Sequence, residues 1–171
     1  MRILFLIGSV ILLKTCDTRV PIRQAATAPP AAPAPDDPLR SLALKVFEGV
    51  NRERSLHRLP KLKWSDALAE QARLESTNMM ERGFFSHTDP VRGPLAERLN
   101  AAGIRWSRCS ENIFREQGMD DPAESAVEGW MKSPPHREGL LDSLVTETGV
   151  GIAVSPDTEY FITQIFLHPP K

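Results

Sequence analysis

The sequence predicts an α+β domain in which helices pack over a small sheet. Four segments place apolar residues at the spacing of an amphipathic helix. Two segments late in the chain, residues 147–155 and 159–167, are instead short and rich in valine, isoleucine, threonine and aromatic residues. A turn-forming Pro156-Asp157-Thr158 separates these two segments, so we expect them to pair as an antiparallel hairpin. Helices followed by a late antiparallel pair are typical of the α+β class.

The predicted helices cover residues 39–56, 65–82, 94–102 and 121–132. The first has Leu42, Val46 and Val50 at helical spacing with charged residues between them. The second has Ser65 as a plausible N-cap, and Gly83 should stop it. The third begins with a proline and ends before a glycine, and the fourth carries an apolar stripe that includes a tryptophan.

The N-terminus has the pattern of an export signal. Residues 1–16 start with a positive charge at Arg2 and continue with an apolar run that is too short for a comfortable membrane span. A buried N-terminal helix or a short uncleaved anchor is the alternative. Cys16 resembles the lipidated cysteine of bacterial lipoprotein signals, although Lys14 stands where a small residue is usual.

A proline- and alanine-rich linker follows over residues 17–38. Its stretch from Pro21 to Pro38 has six prolines and six alanines in eighteen residues, with almost no large apolar side chain. We expect an extended, semi-rigid tether that holds the domain of residues 39–171 away from a membrane or wall.

Charge and cysteine content limit the function classes. The chain has 171 residues, enough for one domain with a core, and its formal net charge is −1. The absence of a basic block argues against nucleic acid as the main partner. If Cys16 is lipidated or removed, Cys109 has no intrachain partner, so a disulfide-stapled scaffold is not expected.

Two histidines and one glutamate are the candidate chemical groups. His87 lies in a turn after the second helix, Glu111 lies in Ser110-Glu111-Asn112-Ile113, and His136 follows a Ser-Pro-Pro sequence. Residues this far apart meet only through the fold, and such a cluster suits a metal site or an acid/base site. We expect all three in one cleft, with Ser86, Asn112 and Ser133 beside them.

Ser133 and Pro134 predict a helix start, with the serine hydroxyl capping free amides and the proline at the first helical position. His136 then lies in the first turn, where the positive helix end should keep the imidazole neutral and able to bind a metal. The alternative of equal weight is a histidine that only bonds a neighbouring loop.

Several spaced motifs resemble bacterial CAP-domain proteins, the superfamily of cysteine-rich secretory, antigen 5 and pathogenesis-related 1 proteins. They run in the order of that family: residues 51–54, Phe85-Ser86-His87, residues 110–113, residues 130–137 and residues 148–153. The resemblance covers about residues 42–167. It implies an α-β-α sandwich with a central cleft, export, a metal-binding histidine pair matching His87 and His136, and a cleft glutamate matching Glu111.

The chain departs from the family pattern at the cleft. Many eukaryotic members have a second cleft glutamate three residues after a tryptophan, and that position is Ser133 here. Glu128 should face elsewhere, because five residues back on a helix is about 140° away. The glycines that precede the cleft glutamate and the second histidine are replaced by Ser110 and Pro135.

Two function classes remain at this point. The first is an exported, non-enzymatic binding module with a weak Zn²⁺ or other divalent-metal site at His87 and His136. Its ligand would be a lipid or sterol, an envelope glycan or a protein, and membrane contact would come only through the N-terminal anchor or a lipid attached there. The alternative is a metal-assisted hydrolase of peptide, ester or phosphodiester bonds with Glu111 as base. A structural envelope protein with a vestigial cleft is a third reading.

Overall fold

The computed structural model describes residues 37–118 and 120–171. The predicted export signal and nearly all of the linker therefore lie outside the described residues. Five helices and six strands form in the described part: α1 Pro38–Leu56, β1 Lys63–Trp64, α2 Asp66–Arg82, β2 Thr88–Asp89, β3 Gly93–Pro94, α3 Leu95–Ala101, β4 Arg108–Gln117, α4 Pro122–Lys132, α5 Pro134–Leu140, β5 Glu147–Val154 and β6 Glu159–His168. No helix among them is long and apolar enough to cross a bilayer.

The predicted helices form, and local capping chemistry sets their ends. Ser65 accepts a hydrogen bond from the Leu68 amide at the start of α2, and Gly83 ends that helix with φ of 67°. The predicted start of α1 at residue 39 was wrong by one residue. Pro38, the last residue of the predicted linker, begins α1, because Asp37 caps the helix and proline needs no hydrogen-bond donor at that position. Pro94 precedes α3 as its N-cap instead of beginning it.

The elements form three layers. The main sheet has the order β1-β5-β6-β4, with the predicted hairpin β5–β6 at its centre. Helices α1, α4 and α5 cover one face, and α2 packs on the other face against β5 and β6. An apolar cluster that includes Val46, Val50, Trp130 and Ile162 fills the first interface. The α-β-α sandwich is therefore confirmed.

Two features of the sheet differ from the prediction. β1 pairs with β5 in parallel, so the sheet is antiparallel apart from this two-residue strand. Strand β4, ten residues long, was not predicted at all. Its sequence, Arg-Cys-Ser-Glu-Asn-Ile-Phe-Arg-Glu-Gln, contains few apolar residues, and its strand conformation depends on pairing with β6 along its whole length.

Arg54 in α1 hydrogen-bonds to the loop that follows the helix and to a segment more than 80 residues later. Its side chain is fully buried and donates to the carbonyl oxygens of Pro60 at 3.0 Å, Leu140 at 2.8 Å and Asp142 at 2.9 Å. Burial lowers the pKa of the guanidinium, while the charge of Asp142 acts in the opposite direction.

We expect Arg54→Met to lower the free energy of unfolding by about 3 kcal/mol or more, because three buried carbonyl groups lose their donor. Urea denaturation would measure the loss. The control is Arg52→Met, which changes an exposed arginine two residues away in the same helix and should cost less than about 0.5 kcal/mol. Equal losses in the two variants would contradict this role of Arg54.

Candidate functional site

The site lies at an edge of the sheet and is built from both helical layers. β4 ends the strand order of the sheet, and successive side chains along it point to opposite faces. Glu111 points toward His87 in the loop after α2, and Asn112 donates to the His136 carbonyl oxygen in α5 at 2.9 Å. The two imidazole rings approach each other across this edge, with centroids 6.2 Å apart. Sequence reasoning had expected His87, Glu111 and His136 in one place, and the fold brings them together.

The loop that carries His87 is held by short-range hydrogen bonds. The buried carboxylate of Asp89 accepts from the amides of Val91 and Arg92, at 2.7 and 2.9 Å, and from Asn78 at 2.9 Å. Ser86 Oγ accepts from the Thr88 amide at 3.1 Å. Ser86 therefore shapes this loop next to His87.

His136 is oriented by Ser133, and here the capping prediction was wrong. Ser133 occupies the N-cap position of α5, yet its hydroxyl makes no capping bond. The hydroxyl instead lies 2.9 Å from His136 Nδ1. The pKa of His136 is lowered, as expected, but the causes are burial and the charge of His87. The imidazole is thus biased toward its neutral form.

Glu111 contacts a histidine and an arginine at once. Its side chain is 3% exposed, with Oε1 at 3.1 Å from His87 Nδ1 and Oε2 at 2.8 Å from Arg98 Nη2. Both carboxylate oxygens therefore have partners inside the protein. This arrangement orients the His87 ring and limits the access of a bound substrate to the carboxylate.

Sequence reasoning missed Arg98 and Glu75. Arg98 in α3 and Glu75 in α2 have fully buried side chains, and Arg98 Nη1 lies 3.0 Å from Glu75 Oε2. The sequence did contain a signal that Glu75 is buried, because Ala72 and Met79 flank it at helical spacing and are buried apolar residues. A charged residue inside an apolar stripe predicts a buried ion pair.

Ser133 stands at the position where many eukaryotic CAP proteins have a second cleft glutamate, so that carboxylate is missing from this chain. Glu128 is exposed and pairs with Lys132 at 2.8 Å. Among the residues that the structure describes, no group of three or more His, Cys, Asp or Glu side chains is arranged to hold a metal ion.

The histidine pair by itself offers two nitrogen ligands for a metal ion. Each Nδ1 is engaged, one by Glu111 and the other by Ser133, and within residues 37–118 and 120–171 the Nε2 atoms have no hydrogen-bond partner. Because a zinc–nitrogen bond is about 2.0–2.1 Å long, two rings on one tetrahedral ion have centroids about 5.2 Å apart, and about 6.5 Å is reached only when the two bonds are collinear. The observed 6.2 Å lies between these values, so a tetrahedral ion would require the two rings to approach each other by about 1 Å.

A separate cavity of about 610 Å³ lies further along the sheet. It is bounded by the end of α2 and by β4 and β6, through residues that include Gly83, Arg115, Glu159 and Phe161. Neither His87 nor His136 lines it. Arg115 forms an ion pair with Glu159 at 2.7 Å within this cavity wall.

The family model for the cysteine-rich secretory protein family, CAP, matches residues 47–166. The chain belongs to the CAP family. The matched range contains His87, Glu111 and His136. The site that these three residues form at the edge of the sheet, called the edge site below, therefore lies within the CAP domain. The expectation raised by the spaced motifs is confirmed.

Relatives of this CAP domain include bacterial proteins of greater length. The uncharacterized membrane protein YlbC of Bacillus subtilis (strain 168) is 37% identical over 123 residues, 72% of this chain and 33% of YlbC. The crystal structure of an extracellular protein containing an SCP domain from Bacillus anthracis (strain Ames) has a TM-score of 0.66 and 30% identity, over 81% of this chain and 45% of that one. The chain thus spans less than half the length of these two relatives.

A crystal structure of NaASP2 with Zn²⁺ is also similar, with a TM-score of 0.57 over 78% of this chain and 83% of that one. Its sequence identity is 15%, so the similarity concerns the fold.

Proposed function

We propose that this CAP protein is an exported binding module whose His87 and His136 bind a divalent cation, with zinc as the first candidate. The observation that carries the proposal is the approach of the two rings to 6.2 Å with both Nδ1 atoms held by neighbouring side chains. Hydrogen bonds of this kind fix the tautomer and orientation of metal-binding histidines. Two protein ligands are fewer than zinc sites usually have, so binding should be weak and exchangeable.

Export is supported by the predicted signal in residues 1–16 and by the extracellular Bacillus anthracis relative. When bound, a divalent ion would act as a Lewis acid for an oxygen-bearing ligand. The loop carrying His87 also exposes two apolar side chains, Phe85 at 43% and Val91 at 72%. A lipid has a polar head that could bind the cation and an apolar part that could contact these side chains. We therefore favour a lipid over a glycan or a protein as the ligand.

Binding is better supported than hydrolysis. A hydrolase at this site would need Glu111 as a base, but the carboxylate is nearly inaccessible and both of its oxygens are engaged. Glu111 is more suited to orienting His87.

Zinc titration by calorimetry near pH 7.5 tests the proposal on the full-length protein. We expect saturable one-site binding that is lost in His87→Ala plus His136→Ala, because both ligands are removed. Glu111→Gln should weaken zinc binding about tenfold or more, since the partner that orients His87 loses its charge.

The matched control is His57→Ala plus His168→Ala, which removes two histidines outside the edge site and should leave the affinity unchanged. His57 lies at the end of α1, and His168 lies at the end of β6. Zinc binding that survives in the His87/His136 double variant would rule out the proposed site.

A further inference from the structure

A buried chain of charges continues inward from the edge site. The four groups are His87, Glu111, Arg98 and Glu75, and each is within 3.1 Å of the next. They come from the His87 loop, β4, α3 and α2, so four parts of the fold meet here. The side chains of Arg98 and Glu75 have no exposed surface. The proposed cation binding gives a role to His87 and Glu111 but none to Arg98 and Glu75.

Glu75 has an unusual environment for a carboxylate. Arg98 faces it from α3, Glu111 from β4, Asp89 from β2, and Arg92 from the following turn at 3.6 Å. With all five groups ionised, three negative charges would oppose two positive charges. Within the described residues, neither Glu75 oxygen forms a well-oriented hydrogen bond despite the nearby guanidinium groups.

Burial is the largest effect on Glu75 and raises its pKa to about 7, with Glu111 and Asp89 adding to the rise and the two arginines opposing it. The ordinary value for this group is 4.5. Glu75 therefore keeps its proton to a much higher pH than most carboxyl groups in proteins, which are ionised at neutral pH.

Arg98 fixes the direction in which Glu111 points. Its Nη2 holds Glu111 Oε2, and this leaves Oε1 directed at His87. Because the other side of the guanidinium faces Glu75, the ionisation of Glu75 adds a negative charge behind Arg98 and so changes the electrostatic potential at Glu111.

We propose that Arg98 and Glu75 are positioning residues for the His87–Glu111 pair, and that Glu75 releases a proton when a divalent cation binds to His87 and His136. This inference rests on the proposed cation site. A cation adds positive charge at the outer end of the chain, and positive charge nearby favours an ionised carboxylate. By linkage, the same coupling makes the affinity for the cation depend on pH.

The direction of the pH effect follows from the protonation states. Without the cation, Glu75 is protonated below about pH 7, and with the cation it ionises at a lower pH. Between these two values the cation-bound protein carries fewer protons. The affinity must therefore rise with pH in this window and become independent of Glu75 above it.

The test is zinc titration of the full-length protein at pH 5.5, 6.5 and 8, each in two buffers of different ionisation enthalpy, so that released protons are counted. Wild type is compared with Glu75→Gln, which imitates the protonated carboxyl. Both proteins keep His87 and His136, so protons from the histidines cancel in the comparison. Glu70→Gln is the matched control, since Glu70 belongs to the same helix but pairs with Arg73 at 2.8 Å.

We expect wild type and Glu70→Gln to release a fraction of a proton more than Glu75→Gln at pH 6.5. Between pH 5.5 and 8, their zinc affinity should rise about three- to tenfold more than that of Glu75→Gln, equivalent to a coupling of about half to one pKa unit. Equal proton release and equal pH dependence in all three proteins would overturn the inference while leaving zinc binding itself intact.

A measurement on the wild type alone gives a second readout. Carbon-13 NMR of the Glu75 carboxyl should show a titration midpoint near neutral pH, and zinc should move that midpoint downward. A midpoint unchanged by bound zinc would overturn the inference even if Glu75→Gln fails to fold. If zinc does not bind at all, the proposed cation site fails, and the proton linkage fails with it.

Discussion

Gly151→Ala should lower the free energy of unfolding by more than about 3 kcal/mol, because β5 and α2 touch through their main chains. A Cβ atom at Gly151 would lie 1.9 Å from the Arg73 nitrogen and 2.3 Å from the Ala72 carbonyl carbon. Since both clashing atoms are backbone, no change of rotamer relieves the contact. Gly149, two residues earlier on the same face, meets Ala69 in the same way at 2.1 Å.

Urea denaturation of Gly151→Ala against the wild type measures this effect. The control is Ala153→Gly, the reverse change at the next buried position on the same face of β5, with an expected loss of about 1 kcal/mol from chain entropy. A Gly151→Ala protein that lost no more stability than the control would mean that α2 can move away from the sheet.

Arg98→Met should cost about 3–5 kcal/mol, because it removes the fully buried cation from a cluster of carboxylates. Glu75 would keep only the more distant Arg92, and Glu111 would lose the contact that directs it to His87. We expect zinc affinity to fall together with stability. Unfolding in urea at pH 8, above the pKa of about 7 that Glu75 has in the wild type, should give the largest difference between variant and wild type.

Two companion variants separate lost charge from lost packing. Adding Glu75→Gln to Arg98→Met should recover part of the stability, since one uncompensated carboxylate is neutralised. Arg105→Met, at an exposed arginine after α3, should change stability by less than about 0.5 kcal/mol. If the added Glu75→Gln recovers nothing, the loss comes from packing and the electrostatic explanation is wrong.

The helices and the central hairpin could be predicted because their signals are local. Ser65 and Gly83 mark the ends of α2 by their own capping chemistry, and the predicted pair of strands forms as β5 and β6. β4 could not be predicted in this way. Its residues contain few apolar positions, and the hydrogen bonds that define it come from β6, about fifty residues later in the chain.

Only part of the candidate site could be predicted, because some of its features are local in sequence and others depend on distant partners. His87, Glu111 and His136 stand in recognisable motifs, but the role of each neighbour depends on three-dimensional contacts. The sequence around Ser133 predicts a helix cap, yet the hydroxyl lies against His136 Nδ1. The sequence allows Glu111 as a base, yet its carboxylate lies between His87 and Arg98.

The sequence by itself determined the fold class, the bounds of four of the five described helices to within one residue, the start of the fifth, and the three residues that meet at the edge of the sheet. Periodicity, capping and spaced motifs are properties of short stretches of chain, so they can be identified before folding. Only the tertiary structure decided that Arg98 and Glu75 are buried behind Glu111, and that a half-polar segment forms the edge strand. Burial and ion pairing between distant residues arise from packing, and packing is fixed only when the helical layers close on the sheet.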